Sequence, residues 1–477
     1  MVMEISTDYD TGQDLEIEKF DPYLISDAVK DFSSSIIQDF IEEHESKVAK
    51  FAKLEDLYIG NHDIIYRQGE PNKPNNRLVN DYYGQIIDTV VGYFIGRPIN
   101  FNVNDEEYDE ALKQVFFDNH IEDLNMELVK EFSIKGMVAV LVYQDENGST
   151  RLAQLPPDEV IFIYDSSKTD KLRYVLRYYT VRDVISDEET KHVEIYSDKD
   201  VTYWIQTASN GEYVLDHGKE GGAVQPHIFG EVPVVPFYNN RYEMGDFEKI
   251  VTLVENFNKV LSDASNEHEA YRRAYLVLKN MSVGSDTLER LKQEGIIEVD
   301  EDGDAKFLTK DLPTNAVTAH LERLDKQIYK FARVPNLDDE EFAGNLSGVA
   351  IKFKLFGLET KCIEKERKMT KGLRQLLRLI TVPLNIKYSK AWDANDVEIV
   401  FKRNIPPNIV EQATIVSQLQ GILDTQTLLS LLPFIDDPAT VMKRMEEEGL
   451  LPTPDREIEV EDNSMPEVPE DDEGEEE

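Results

Sequence analysis

The chain has 477 residues, more than one hydrophobic core usually organises, so two or more domains are expected. Its 94 acidic against 51 basic residues give a formal net charge of -43, which excludes a surface that holds nucleic acid tightly by neutralising phosphates. A single cysteine, Cys362, excludes a disulfide framework and a cysteine-based zinc cluster and fits a reducing cytoplasm, and no apolar run approaches the roughly 20 residues that span a bilayer.

The first 30 residues are polar and acidic, lack the basic and apolar regions of a signal peptide, and read as a mobile N-terminus. Ser34 to Tyr58 reads as a helix because Ile36, Ile37, Phe40, Ile41, Val48, Phe51 and Leu54 recur at helical spacings. Turn residues follow in YIGNHDIIYRQGEPNKPNNRLVN, and DYYGQIIDTVVGYFIGRP, apolar nearly all round, reads as a buried helix ended by Gly96 and Pro98. Residues 105 to 135 read as helical, and Gly136 precedes the covered strand MVAVLVY. From there to Tyr242 short aromatic and β-branched runs alternate with turn residues, the pattern of an antiparallel sheet module.

From Asp246 the pattern changes. Ile250, Val254, Phe257, Leu261 and Ala264 form one apolar seam, so residues 246–271 are expected to be a long helix. Residues 272–313 read as a compact α/β insert in which DEDGD, Asp300 to Asp304, turns a hairpin. A return helix starts near Thr314 and stops before Pro335. After the acidic, glycine-containing loop LDDEEFAGN (Leu337 to Asn345) comes a long helix, expected to end at Pro383. Ile351, Leu355, Leu358, Cys362, Met369, Leu373, Leu376 and Ile380 form one stripe on it, broken near Lys365. Leu346, Val349, Phe353 and Phe356 form a second, and a helix apolar on two faces needs neighbours on both. One strand, DVEIVFKRN, and a set of short helices punctuated by Gly421, Pro433 and Pro438 follow. The last segment, from Thr453, holds 13 acids and one base and reads as a disordered acidic tail.

Motifs for chemistry are missing. Asp300, Asp302 and Asp304 have calcium-loop spacing, but the required glycine position holds Ala305 and the bidentate glutamate position holds Asp311. No His-Glu-x-x-His pair, phosphate-binding loop or dinucleotide fingerprint occurs. His268 and His320 read as solvated helix positions, and Cys362, on an apolar stripe, reads as packing. Neither an enzymatic constellation nor a cofactor or metal is expected. The basic concentration on the long helix (Lys352, Lys354, Lys361, Lys365, Lys368, with Arg367, Lys371, Arg374 and Arg378) reads as a solvated face that pairs with acids of neighbouring subunits.

Two stretches, Tyr58–Phe101 (YIGNHDI, then PNNRLVNDYYGQIIDTVVGYFIGRPINF) and Leu346–Glu359 (LSGVAIKFKLFGLE), resemble signature stretches of the portal proteins of tailed double-stranded DNA bacteriophages, of the siphophage type found in Gram-positive hosts. The resemblance runs from about residue 30 to 450 with the elements in the same order. It implies an α+β portal architecture: a β-rich wing (31–245 with 385–402), stem helices (246–271 and 314–333), a small α/β clip (272–313), a tunnel loop (334–346), a long spine helix (347–384), a helical crown (403–450) and the tail (451–477). It also implies a ring, usually of twelve subunits, at one capsid vertex in the virion, assembled in the host cytoplasm. Its partners are then double-stranded DNA passing through the channel, the terminase, a head-completion adaptor, and the major capsid and scaffolding proteins, with no membrane. Two long helices with single apolar seams are expected to be covered by neighbours in a closed head-to-tail ring. The tunnel-loop residues Leu337, Asp338, Asp339, Glu340, Glu341, Phe342, Ala343, Gly344 and Asn345 are expected at the channel's constriction, where acids repel phosphate and Gly344 and Gly348 let the loop change shape. The clip hairpin is Asp300, Glu301, Asp302, Gly303 and Asp304. A metal-dependent nuclease and a cytoplasmic scaffold are the alternatives.

Overall fold

A computed structural model describes residues 22–25, 31–71, 73–166, 171–184, 187–206, 211–271, 275–279, 303–308, 314–337, 348–404, 409–432, 435 and 438–449. The chain divides into two compact units, Met1–Asn404 and Ile405–Glu477. Helices and sheets are mixed, as α+β requires.

In the first unit, strand β1 (Tyr23–Ile25) lies inside the segment read as mobile, and helix α1 (Ser34–Tyr58) follows. The Ser33 hydroxyl accepts the amide of Ile36 and so caps α1. Helix α2 (Tyr82–Ile95) is capped by Asp81 and is buried on nearly every face, as its composition implies. Strand β2 (Asn100–Asn102) leads to helices α3 (Glu106–Asp118) and α4 (Ile121–Lys135). The helical reading of 105–135 resolves into two helices, divided where His120 adopts a left-handed φ of 48°.

The sheet region runs β3 (Met137–Gln144), β4 (Thr150–Leu155), β5 (Val160–Asp165), β6 (Leu172–Arg182), β7 (Glu189–Tyr196), β8 (Asp200–Gln206), β9 (Val214–Leu215), β10 (Val224–Pro226) and β11 (Val234–Tyr238). It forms two sheets. One has the order β1-β5-β6-β7-β8-β10 with β9 on β8, and the other has the order β11-β3-β4. All pairings are antiparallel except β1 with β5. Alternation along β5 serves two cores: Val160 and Phe162 pack against the second sheet, while Ile161 and Ile163 pack under α1 against Ile37 and Ile41.

Helix α5 (Val251–Tyr271) begins after a single 3-10 turn at Glu248–Ile250. Strands β12 (Tyr275–Lys279) and β13 (Asp304–Leu308) pair antiparallel. Helix α6 (Thr314–Ala332) returns along α5, and helix α7 (Gly348–Tyr388) is 41 residues, about 62 Å, long. Pro383 does not end α7: the helix runs five residues beyond it, forgoing only the hydrogen bond that its nitrogen cannot donate. Strand β14 (Glu398–Val400) then pairs with β2, tying the end of this unit to its beginning.

The apolar seams of α5 and α6 meet within the chain along part of their length. Val254 is fully buried, Leu324 and Ile328 are buried opposite, and the Tyr82 ring of α2 meets both Phe257 and Tyr329 at centroid distances of 5.2 and 5.8 Å. Within one chain α2 and the helix pair itself cover part of each seam, and Phe257, Leu261 and Ala264 of α5 stay half-buried. On α7 the first stripe is buried, whereas Phe353 and Phe356 of the second are 77% and 69% exposed.

The second unit holds α8 (Ile409–Leu419), α9 (Thr425–Ser430) and α10 (Pro438–Glu447). Gly421, at φ 86°, turns the chain after α8, and Asp424 caps α9. Pro438 opens α10 as its first residue, where its missing N–H costs nothing.

Candidate functional site

The stretch Asn75–Asn80 is extended and lies along one face of α5. The backbone N–H of Asn80 donates to Oδ1 of Asn258 (3.0 Å), that of Leu78 to Oγ of Ser262 (2.9 Å), and that of Asn76 to Oδ1 of Asn266 (2.6 Å). The fit is one of periods. Four residues of α-helix rise about 6 Å and two residues of extended chain about 6.6 Å, so Asn258, Ser262 and Asn266 can each serve an alternate amide of an antiparallel strap. Arg67 locks the strap from the other side, with Nη1 2.6 Å from Asp263 and Nη2 donating to the carbonyl of Asn76 at 2.7 Å. Beneath it His62 is fully buried against Tyr83 and takes a hydrogen bond from the Asn258 amide at 2.9 Å.

The same segment runs on into α2, which fastens α6. The Tyr82 hydroxyl donates to Asp325 at 2.7 Å, and the Tyr329 hydroxyl donates to Gln85 at 2.6 Å. The signature stretch PNNRLVNDYYGQ thus holds two long helices in one fixed register. In the sequence it looked like turns followed by a buried helix. The polar residues spaced by four on α5 were the signal that could have revealed the strap.

A second anchor holds α7 against the root of α5. Lys365, the break in the apolar stripe, is 1% exposed, and its Nζ lies 2.7 Å from Asp246 and 2.8 Å from Oγ of Ser133 and also donates to Oδ1 of Asn239. Lys361 approaches the other Asp246 oxygen at 3.5 Å. Burial opposes the Asp246 charge, but Lys361 and Lys365 beside it hold its carboxyl below the ordinary carboxylate value. On the same part of α7, Arg403 bridges Glu359 (3.0 Å) and Glu366 (2.7 Å), and Tyr93 of α2 donates to Glu359 at 2.7 Å. Cys362 is fully buried between these anchors, and burial pushes its thiol up to about 12, so it is packing and not a nucleophile at neutral pH.

The basic residues of α7 are consequently not one face. Lys352 is exposed and Lys354 and Lys368 are half-buried, but Lys361 and Lys365 point into the chain and pair with Asp246 of the same chain. A helix has 3.6 residues per turn, so lysines close in sequence fall on different sides. Of the loop Leu337 to Asn345, Leu337 is exposed, and Asp338, Asp339, Glu340, Glu341, Phe342, Ala343, Gly344 and Asn345 lie outside the described residues. Of the hairpin, Gly303 is half-buried and Asp304 opens β13, while Asp300, Glu301 and Asp302 lie outside the described residues. The partner of β13 is β12, at the far end of the insert. Among the described residues no group of three or more His, Cys, Asp or Glu could hold a metal, and no helix is long and apolar enough to cross a membrane.

The family model described as "Phage portal protein, SPP1 Gp6-like" matches residues 37–449. The portal protein of Bacillus phage SPP1 is 25% identical over 440 residues, covering 87% of this chain and 86% of that protein. The portal protein of Clostridium phage phiCD119 is 27% identical over 432 residues, covering 84% of this chain and 93% of that protein.

Proposed function

The chain belongs to the SPP1 Gp6-like family of phage portal proteins, and from that premise we infer how its parts divide the work of a portal. Copies close head to tail into a ring, of twelve subunits by family habit, at one capsid vertex. A separate ATP-driven terminase moves double-stranded DNA inward through the central channel, and the DNA leaves by the same channel at ejection. The ring is also the platform for the major capsid and scaffolding proteins during assembly and for the head-completion adaptor and tail afterwards.

Residues 31–245 with 385–402 form the wing, 246–271 and 314–333 the stem, 272–313 the clip, 334–346 the tunnel loop, 347–384 the spine and 403–450 the crown. The observation that carries this reading is the family match, which runs unbroken from α1 to α10. Three features of the fold support the division. β14 returns to pair with β2, α5 and α6 pack along one another under one strap, and a separate compact unit begins at Ile405. A transport channel must not hold its cargo, and an acidic lining avoids the deep, salt-dependent binding that lysines would give.

The test is genetic. Supplied in trans to its parent phage lacking the portal gene, the full chain restores DNA-filled heads. Heads that stay empty while the protein is incorporated at wild-type level contradict the reading.

A further inference from the structure

The turn between α3 and α4 builds a groove. His120, in its left-handed conformation, breaks the helical path so that Phe117 at the end of α3 and Met126 on α4 line one opening of about 1100 Å³, with β2 as the facing wall. Phe117 and Met126 are 77% and 41% exposed, an apolar patch of the kind that marks an interaction site. Leu112, Phe116 and Ile121 line the same groove and are buried.

The groove is also negative. Glu122 and Asp123 stand exposed at its rim, within about one turn of Met126. Lys113, the one base lining it among the described residues, is already paired with Asp109 at 2.6 Å. Both rim acids lie in the first turn of α4, whose positive end offsets about half a charge of the two. A cation is therefore drawn to the same place as an apolar side chain.

Hydrogen-bonding capacity is left over beside it. Asn125, 4% exposed, lines the groove, and its Oδ1 has no hydrogen-bond partner, a state that buried acceptors rarely keep. Among the described strands β2 pairs with β14 alone, and β14 lines no part of the groove, so the groove lies beside β2 away from its partner. A strand paired on one side only offers its other edge to an extended chain.

We propose that this groove docks an extended segment of a partner protein in which an aromatic or branched apolar side chain stands two positions from an arginine or lysine. Two residues of extended chain span about 6.6 Å and face one side, and Glu122 and Met126 are about 6 Å apart along one face of α4. The apolar side chain thus seats between Phe117 and Met126 while the cation meets Glu122 and Asp123, and the segment's backbone bonds to β2 and Asn125. Charge complementarity selects a basic partner over a second copy, whose own net charge of -43 repels another of the same sign. The docking site is separate from ring closure, so its failure would leave the portal reading standing.

Fluorescence anisotropy on the full-length chain tests the site. The probes are short labelled peptides that carry tryptophan, leucine or phenylalanine two positions from an arginine, with glutamate in the arginine's place as the control. At least one arginine probe binds saturably, and its glutamate counterpart binds at least roughly tenfold more weakly. Glu122→Lys with Asp123→Lys reverses that preference. Phe117→Ser weakens the arginine probe by roughly tenfold and Asn125→Leu by roughly threefold, with circular dichroism unchanged. If the charge reversal impairs folding, Glu122→Gln with Asp123→Asn lowers the affinity and its salt dependence instead. Absence of saturable binding, equal binding of the glutamate probes, or binding that the rim variants leave unchanged overturns the proposal. So does a rim variant that changes the mass of the chain in light scattering while probe binding stays at the parent level, because another copy is then the occupant.

Discussion

Lys365 is a charge in the middle of an apolar stripe, and its environment explains why it is tolerated there: three acceptors, from Asp246, Ser133 and Asn239, surround one ammonium. Removing one member of such a pair leaves the other charge buried. Lys365→Met should therefore destabilise the chain by about 3–5 kcal/mol, and Lys365→Met with Asp246→Leu by much less, both read from urea unfolding midpoints. His44 makes a separate prediction. Burial, with Lys47 adding to it, lowers its pKa from 6.5 to about 3, and its ring lies 2.9 Å from the Tyr178 hydroxyl. Between those two pH values the unfolded chain binds more protons than the folded one, so stability falls as pH falls through that window, by about 1.4 kcal/mol per pH unit. His44→Gln should flatten that slope. Asp246 acts lower: its stabilisation is present above the ordinary value of 3.8 and is lost only as pH falls through its depressed folded value. The break at Lys365 was visible in the sequence, but Asp246 stands 119 positions earlier, and no local pattern announces a partner at that distance.

At the scale of elements, the strap along α5 sets the register of both long helices. Ser262→Ala leaves the part-buried Leu78 N–H without its acceptor and should cost about 1–3 kcal/mol, whereas a change at an exposed position of the same helix, Asn256→Ala, should alter stability little. Thermal unfolding of the two variants tests the difference. Gly136 is equally specific. With φ 91° and an added Cβ only 2.1 Å from the carbonyl oxygen of Glu243, Gly136→Ala should destabilise the chain by several kcal/mol, roughly 2 or more, or prevent folding. Helix α1 with its stripe, α2 with its nearly all-round apolar surface and α7 with its two stripes were legible because apolar patterning is local. The division of α3 from α4 was not, since His120 rather than glycine takes the left-handed turn. The strand β1 escaped notice because its ordering comes from a partner, β5, far along the chain. The end of α7 was misplaced because packing of Ile380 and Leu384 outweighs the one hydrogen bond lost at Pro383.

Across the whole molecule, the chain covers part of the α5 and α6 seams itself and leaves the Phe353–Phe356 surface of α7 exposed. Sequence patterning found both stripes of α7, but it could not say which helix would be left uncovered, because that depends on where α2 and the strap come to rest. The family was legible in two stretches, Tyr58–Phe101 and Leu346–Glu359, and the first of these turns out to contain the strap and α2. For the acidic loop, replacing Asp338, Asp339, Glu340 and Glu341 together with alanine should leave rings intact and lower the DNA packaged per capsid, an effect that shrinks as salt is raised. Unchanged packaging would remove the electrostatic role of these acids. The central claim, that this chain is a ring-forming portal, meets its most direct test in electron microscopy of the purified full-length protein. The expected images are uniform turbine-shaped rings with a central hole, and a field of monomers or closed twofold dimers at any concentration would contradict it.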